Sequence, residues 1–100
     1  MDIVKGLKVI ASKPRLRVLH LLKNPVDNFP AQPVGDPKTD GVTSAALMKK
    51  LGCTQPTLSE HMDALMAVGF VESKKLSRFV LYKRDEDRIE QFLREFRGIL

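Results

Sequence analysis

Gly52 is the residue that most limits what this chain can become. Ahead of it, residues 43–51 carry Ala46, Leu47 and Leu51 on one helical face, with Ala45 and Met48 beside them. Thr43 or Ser44 is placed to cap that helix. Lys49 and Lys50 sit in its last turn, where cations suit the negative end of the helix dipole. Gly52 ends it, since a glycine takes the left-handed conformation at little cost. Two residues on, Thr54 is placed to cap a second helix and Pro56 suits its first turn. Leu58, Met62, Leu65 and Met66 then recur at i, i+4, i+7 and i+8, a buried stripe that Gly69 stops. Phe70 and Val71 open a strand to about Leu76. A second strand over 79–83 alternates Phe79 and Leu81 with Val80 and Tyr82, and the turn between holds Ser77 and no glycine.

The segments on either side are simpler. Ile3, Val4, Leu7 and Ile10 mark one face of a first helix. Ser12 caps a second, from about Lys13 to Lys23, with Pro14 in its first turn. That helix is apolar nearly all round; the reading puts Leu16, Leu19 and Leu22 inward and Val18 and Leu21 at their flanks. His20 reads as a core or boundary histidine, because no ligand-type residue lies at i±4. Residues 24–41 hold four of the six prolines, two glycines and three aspartates, with no apolar period. They read as a surface loop anchored by Phe29, long for so small a domain, and a reach toward DNA, a partner subunit or a ligand is the functional alternative. Asp85 caps a last helix whose Ile89, Phe92, Leu93, Phe96, Ile99 and Leu100 form a strong stripe. A stripe of this kind covers either the chain's own core or a second subunit.

One hundred residues suit a single domain, 1–100. No run of 18 apolar residues spans a membrane, and Met1 to Ser12 lacks the continuous apolar core of a signal peptide. With one cysteine, a cytoplasmic protein is the simple expectation. The charge is unevenly placed. Residues 1–23 carry net +5 and residues 42–84 net +4, while 24–41 and 85–100 each carry net −2. The second positive stretch holds the two helices joined at Gly52 and the hairpin after them, and positive charge there suits contact with phosphates. An enzyme is disfavoured: there is no nucleophile–base pair, no paired carboxylates in an apolar setting and no phosphate-cradling glycine loop.

A helix reads the major groove with residues near its N-terminus. The buried stripe turns Gln55, Pro56, Thr57, Ser59, Glu60 and Asp63 outward on the helix spanning 54–68. Gln55 can pair bidentately with adenine, and Thr57 and Ser59 can bond a base edge or a phosphate. Thr54 and the backbone N–H groups at the helix start can hold a phosphate. His61 lies at the edge of the stripe, with phosphate contact and packing both open to it. Glu60 can accept from cytosine N4, whereas an unpaired Glu60 or Asp63 repels phosphates. Lys74, Lys75 and Arg78, in the hairpin over 72–82, suit phosphate or minor-groove contact. Arg15, Arg17, Lys49 and Lys50 can grip the backbone beside the groove. The fold class is mainly α with a small β-hairpin: a winged helix-turn-helix of about five helices plus a two-stranded wing.

The segments Lys13-Pro14-Arg15-Leu16-Arg17-Val18-Leu19, Leu51-Gly52-Cys53-Thr54-Gln55-Pro56-Thr57-Leu58-Ser59-Glu60-His61-Met62, Val68-Gly69-Phe70-Val71, and Arg78 with Tyr82 resemble the ArsR-type winged-helix transcriptional regulators. The resemblance covers roughly residues 3–100 apart from the 24–41 loop. It implies a homodimer that binds a palindromic operator on double-stranded DNA and represses. It also implies a dimer contact between first and last helices, which falls here on Ile3, Val4, Leu7, Phe92, Phe96 and Ile99, with 85–100 the dimerisation helix. Many members sense metals through two cysteines at the start of the third helix; Thr43 and Ala45 occupy those places here. Cys53, His20 and His61 are not at metal-ligand spacing, so no metal and no cofactor is expected. Cys53 reads as a small buried residue, since no basic residue is placed to lower its pKa. Two alternatives stand beside the repressor: a winged-helix protein–protein module, and a ligand- or thiol-responsive regulator acting through the 24–41 loop or Cys53.

Overall fold

The computed structural model describes residues 2–100, and Met1, the first residue of the stretch weighed as a leader, lies outside them. The elements in chain order are α1 (Ile3–Ile10), α2 (Lys13–Lys23), α3 (Pro25–Asn28), β1 (Val42–Thr43), α4 (Ser44–Leu51), α5 (Gln55–Ala67), β2 (Val71–Leu76), β3 (Phe79–Arg84) and α6 (Glu86–Ile99). The fold is the winged helix expected, with two additions among the described residues. One is the single turn α3. The other is β1, which makes the wing three-stranded and antiparallel in the order β1-β3-β2.

The helix ends follow local chemistry. Asp2, Ser12, Thr43 and Asp85 each accept a backbone N–H from the residue three places on, capping α1, α2, α4 and α6. Gly52 closes α4 at φ 66°, and the N–H groups of Gly52 and Cys53 both return to the Met48 carbonyl. Thr54 occupies the N-cap place of α5, yet its hydroxyl donates to Thr57 Oγ1 at 3.2 Å, and no side chain caps that helix.

The core joins Val18, Leu21 and Leu22 of α2, Leu47 of α4, Leu58, Met62 and Leu65 of α5, Phe70, and Val71 and Tyr82 of the wing base. Phe92 of α6 completes it. The phase read for α2 is corrected. Leu16 is 51% exposed, and Val18, Leu21 and Leu22 point inward. Leu16 shares the exposed face of Lys13, Arg17, His20 and Lys23, and those polar residues turn that face outward and leave Val18, Leu21 and Leu22 against the core.

Residues 24–41 are ordered by their own polar groups. Asn28 Nδ2 donates to the Leu21 and Asn24 carbonyls at the end of α2. Phe29 is buried, the anchor expected of it. Gln32 staples the loop to β1: its Nε2 donates to the Val34 and Gly41 carbonyls, and its Oε1 accepts from Thr43 N–H. Asp36 Oδ1 accepts from the N–H groups of Lys38 and Thr39, and Asp40 Oδ2 accepts from Asp36 N–H at 2.8 Å.

Candidate nucleic-acid interface

The core stripe of α5 fixes the opposite face as the outward one. Thr54, Gln55, Pro56, Thr57, Glu60 and Asp63 are exposed, and Ser59 is half-buried beside them. Gln55 Nε2 donates to Ser59 Oγ at 3.0 Å, one turn along. That bond holds the amide in place while leaving Oε1 and one N–H free, the pair an adenine edge requires. With no side-chain cap, first-turn N–H groups of α5 stay open to an anion. Glu60 has no hydrogen-bond or ion-pair partner among the described residues.

His61 is half-buried and bonded through one ring nitrogen, which leaves Nε2 as its N–H donor. Arg15 Nε donates to His61 Nδ1 at 3.3 Å, and Arg15 Nη1 donates to the Val9 carbonyl at 3.3 Å. Arg15 therefore ties the end of α1 and the start of α2 to α5. Arg17 Nη2 donates to the Lys50 carbonyl at 3.1 Å, satisfying the C-terminal end of α4. Arg15 is half-buried and Arg17 exposed, each bonded to another helix of the chain, while Lys49 and Lys50 project from the α4 end next to α5.

The wing divides its cations by register. Directly opposed residues of an antiparallel pair share a face. The pairs Lys75 with Val80 and Ser73 with Tyr82 define one face, and Lys74 with Leu81 and Glu72 with Lys83 define the other. Lys75 has no partner among the described residues. Arg78 lies over the Phe79 ring, 5.3 Å from its centroid. Ser77 opens the two-residue turn at φ 55°, a left-handed place a glycine would fill more easily. Lys74 Nζ is paired with Asp40 Oδ1 of the preceding loop. That hydrogen bond, with the Asp36 N–H, holds the Asp40 carboxyl below its usual range. Sequence reading missed Asp40, whose partner is 34 residues away; the one available signal was an acidic loop beside a basic hairpin.

A cleft of about 750 Å³ opens between Leu22–Pro25, Pro37, Lys38, the wing base and the start of α6. Its Arg84 is bidentate to Glu86 and its Lys83 meets Glu72 at 3.5 Å. Thr43, at one expected metal position of the family, is buried and its hydroxyl is occupied as a helix cap. Cys53 is half-buried against the core.

At the far end, α1 packs on α6. The Phe92 ring lies edge-on to Phe70 at 5.0 Å and is only 3% exposed, so within the chain it packs into the core. Ile3, Leu7 and Phe96 are half-buried, Val4 is 60% exposed and Ile99 67% exposed. Leu93 and Leu100, outside the set named for that contact, are exposed as well.

Comparison with known proteins bears on this arrangement. The profile of the family described as "Bacterial regulatory protein, arsR family" matches residues 43–73, which are β1, α4, α5 and the start of β2. A protein of Bacillus subtilis strain 168, the uncharacterized HTH-type transcriptional regulator YbzH, is 30% identical over 89 residues, 89% of each chain. An ArsR-like transcriptional regulator from Rhodococcus sp. RHA1 shares the fold at a TM-score of 0.70 and 21% identity, over 97% of this chain and 77% of that one. HlyU from Vibrio cholerae N16961 does so at a TM-score of 0.63 and 24% identity, over 94% of this chain and 87% of that one.

Proposed function

Since the chain belongs to the arsR family of bacterial transcriptional regulators, we propose that it is a homodimeric repressor that reads its operator with α5 and grips the flanking phosphates with the wing. The observation that carries this reading is the exposed, uncapped start of α5, where Ser59 holds the Gln55 amide with one donor and one acceptor free. Thr57 and Glu60 extend the readable face, and Lys75, Arg78, Lys49 and Lys50 supply positive charge beside it. Two such helices one helical turn apart would meet a palindromic site. Val4, Leu93, Phe96, Ile99 and Leu100, with Ile3 and Leu7, supply apolar surface for a two-fold contact of α1 and α6. The work is done in the cytoplasm, where the operator is, and without a metal at the α4 position.

The test is fluorescence anisotropy of a labelled duplex from upstream of the protein's own gene, beside a shuffled duplex, at two salt concentrations. Salt-sensitive binding that prefers the native duplex is expected. Gln55→Ala should weaken native binding by about 1–3 kcal/mol and relax the preference. Lys75→Ala should weaken both duplexes alike and lower the salt slope by about one. Equal binding to both duplexes that Gln55→Ala leaves unchanged would refute base readout by α5.

A further inference from the structure

Three contacts of the long loop with side chains of β2 and β3 fall on one face. Asp40 pairs with Lys74, the Thr39 carbonyl accepts from Lys83 Nζ at 3.3 Å, and Gly35 packs by the Leu76 side chain. By register, Lys74, Lys83 and Leu76 share the face of Leu81, which is fully buried yet outside the main core cluster. The carboxylate is held at that face by a built turn. Asp40 Oδ2 is fixed by Asp36 N–H, Asp36 Oδ1 fixes Lys38 and Thr39, and Gln32 anchors the segment to β1.

We infer that Asp40 stands in for a DNA phosphate on Lys74, so that the 24–41 loop sets the affinity of the wing for DNA. This rests on the DNA-binding reading above and adds to it a residue that opposes binding. An anionic oxygen held against a lysine ammonium is the same chemistry a backbone phosphate offers. Lys74 therefore reaches DNA only by leaving Asp40. Lys75, on the opposite face and unpaired, is free to bind phosphate at once. The two adjacent lysines thus contribute unequally, and the difference lies in the loop rather than in the wing. The low pKa of Asp40 agrees with this: Lys74 is its largest cause, with Lys83 a lesser one.

The experiment compares the wild-type chain, Asp40→Asn, Lys74→Gln and the double variant by anisotropy on the native and shuffled duplexes. Asn keeps an oxygen for Asp36 N–H, and unchanged amide shifts at Asp36 and Lys38 confirm the turn. Asp40→Asn releases one exposed ion pair and should tighten both duplexes about three- to fivefold. In the Lys74→Gln background the same change should gain less than about 1.5-fold, because only long-range charge remains. In a second readout, the Asp40 carboxyl carbon shift should move when DNA is added to the wild-type chain and stay in place in Lys74→Gln. An equal gain in both backgrounds, or binding with no gain, overturns the inference alone. Failure of the wild-type chain to bind either duplex overturns the DNA-binding reading and this inference with it.

Discussion

Gly6 lies in the middle of α1, where alanine would ordinarily stabilise a helix by about 0.8–1.0 kcal/mol. Here the opposite is expected. A Cβ at Gly6 would stand 2.6 Å from Phe92 Cε1, 3.0 Å from Phe92 Cδ1 and 3.4 Å from Phe70 Cζ. Carbon atoms rest at about 3.5–4.0 Å, so the first contact is short by roughly 1 Å. The ring has little room to yield: it lies edge-on to Phe70 at 5.0 Å and stacked on Phe96 at 6.0 Å. Either the ring leaves its rotamer or α1 lifts from α6, and overpacking of this kind costs about 1–3 kcal/mol. Net of the helix gain, Gly6→Ala should destabilise the chain by about 1 kcal/mol and lower the melting temperature by about 4–8 °C. Urea unfolding at fixed protein concentration measures it, since a dimer contact would make stability depend on concentration. A second arm isolates the cause. In a Phe92→Leu background the ring edge is gone, and Gly6→Ala should turn stabilising by about 0.5–1 kcal/mol. A gain in stability from Gly6→Ala in the wild-type background would refute the packing of α1 on Phe92.

Two further outcomes follow from the wing base. Gly41 holds φ +112°, and a Cβ there would meet the Tyr82 carbonyl oxygen at 2.7 Å, so Gly41→Ala should lower the urea midpoint by an amount equivalent to about 2–3 kcal/mol and weaken DNA binding as β1 leaves β3. Burial of the Tyr82 phenol, with the Asp63 carboxylate a lesser cause, raises its pKa in the folded chain. Its stabilising contribution is therefore complete below the unfolded value of about 10 and is lost as pH rises through the folded value, so Tyr82→Phe should flatten the alkaline limb of a melting-temperature profile.

How much of this was legible in the sequence depends on the distance over which each signal acts. The ends of α4 and α6 were readable because caps and a left-handed glycine work within four residues, as Thr43, Gly52 and Asp85 show. The outward face of α5 was readable because its stripe has one phase, with Leu58, Met62 and Leu65 all fully buried. The rotation of α2 was legible only through its polar residues, since Lys13, Arg17, His20 and Lys23 mark the exposed face on which Leu16 falls, whereas the leucine spacing alone fits more than one phase. The α6 stripe does not say which of its members the chain's own core will take, and Phe92 is the one buried there. The partner of His61 Nδ1 was not legible either, because Arg15 lies 46 residues away along the chain.

The same reasoning explains why the wing was read as two-stranded. A two-residue strand such as Val42–Thr43 carries no period of its own and exists only through its register with Tyr82 and Leu81. That pairing requires Gly41 to pass against the Tyr82 backbone, and so it fixes where the preceding loop must end. A loop tethered there by Gln32 runs along the Leu81 face and brings Asp40 to Lys74. The acidic composition of residues 24–41 and the basic composition of the hairpin were both visible along the chain. What joined them was a strand too short to predict. The loop that composition marked only as an irregular connection is thereby placed where it can oppose the charge with which the wing would hold DNA.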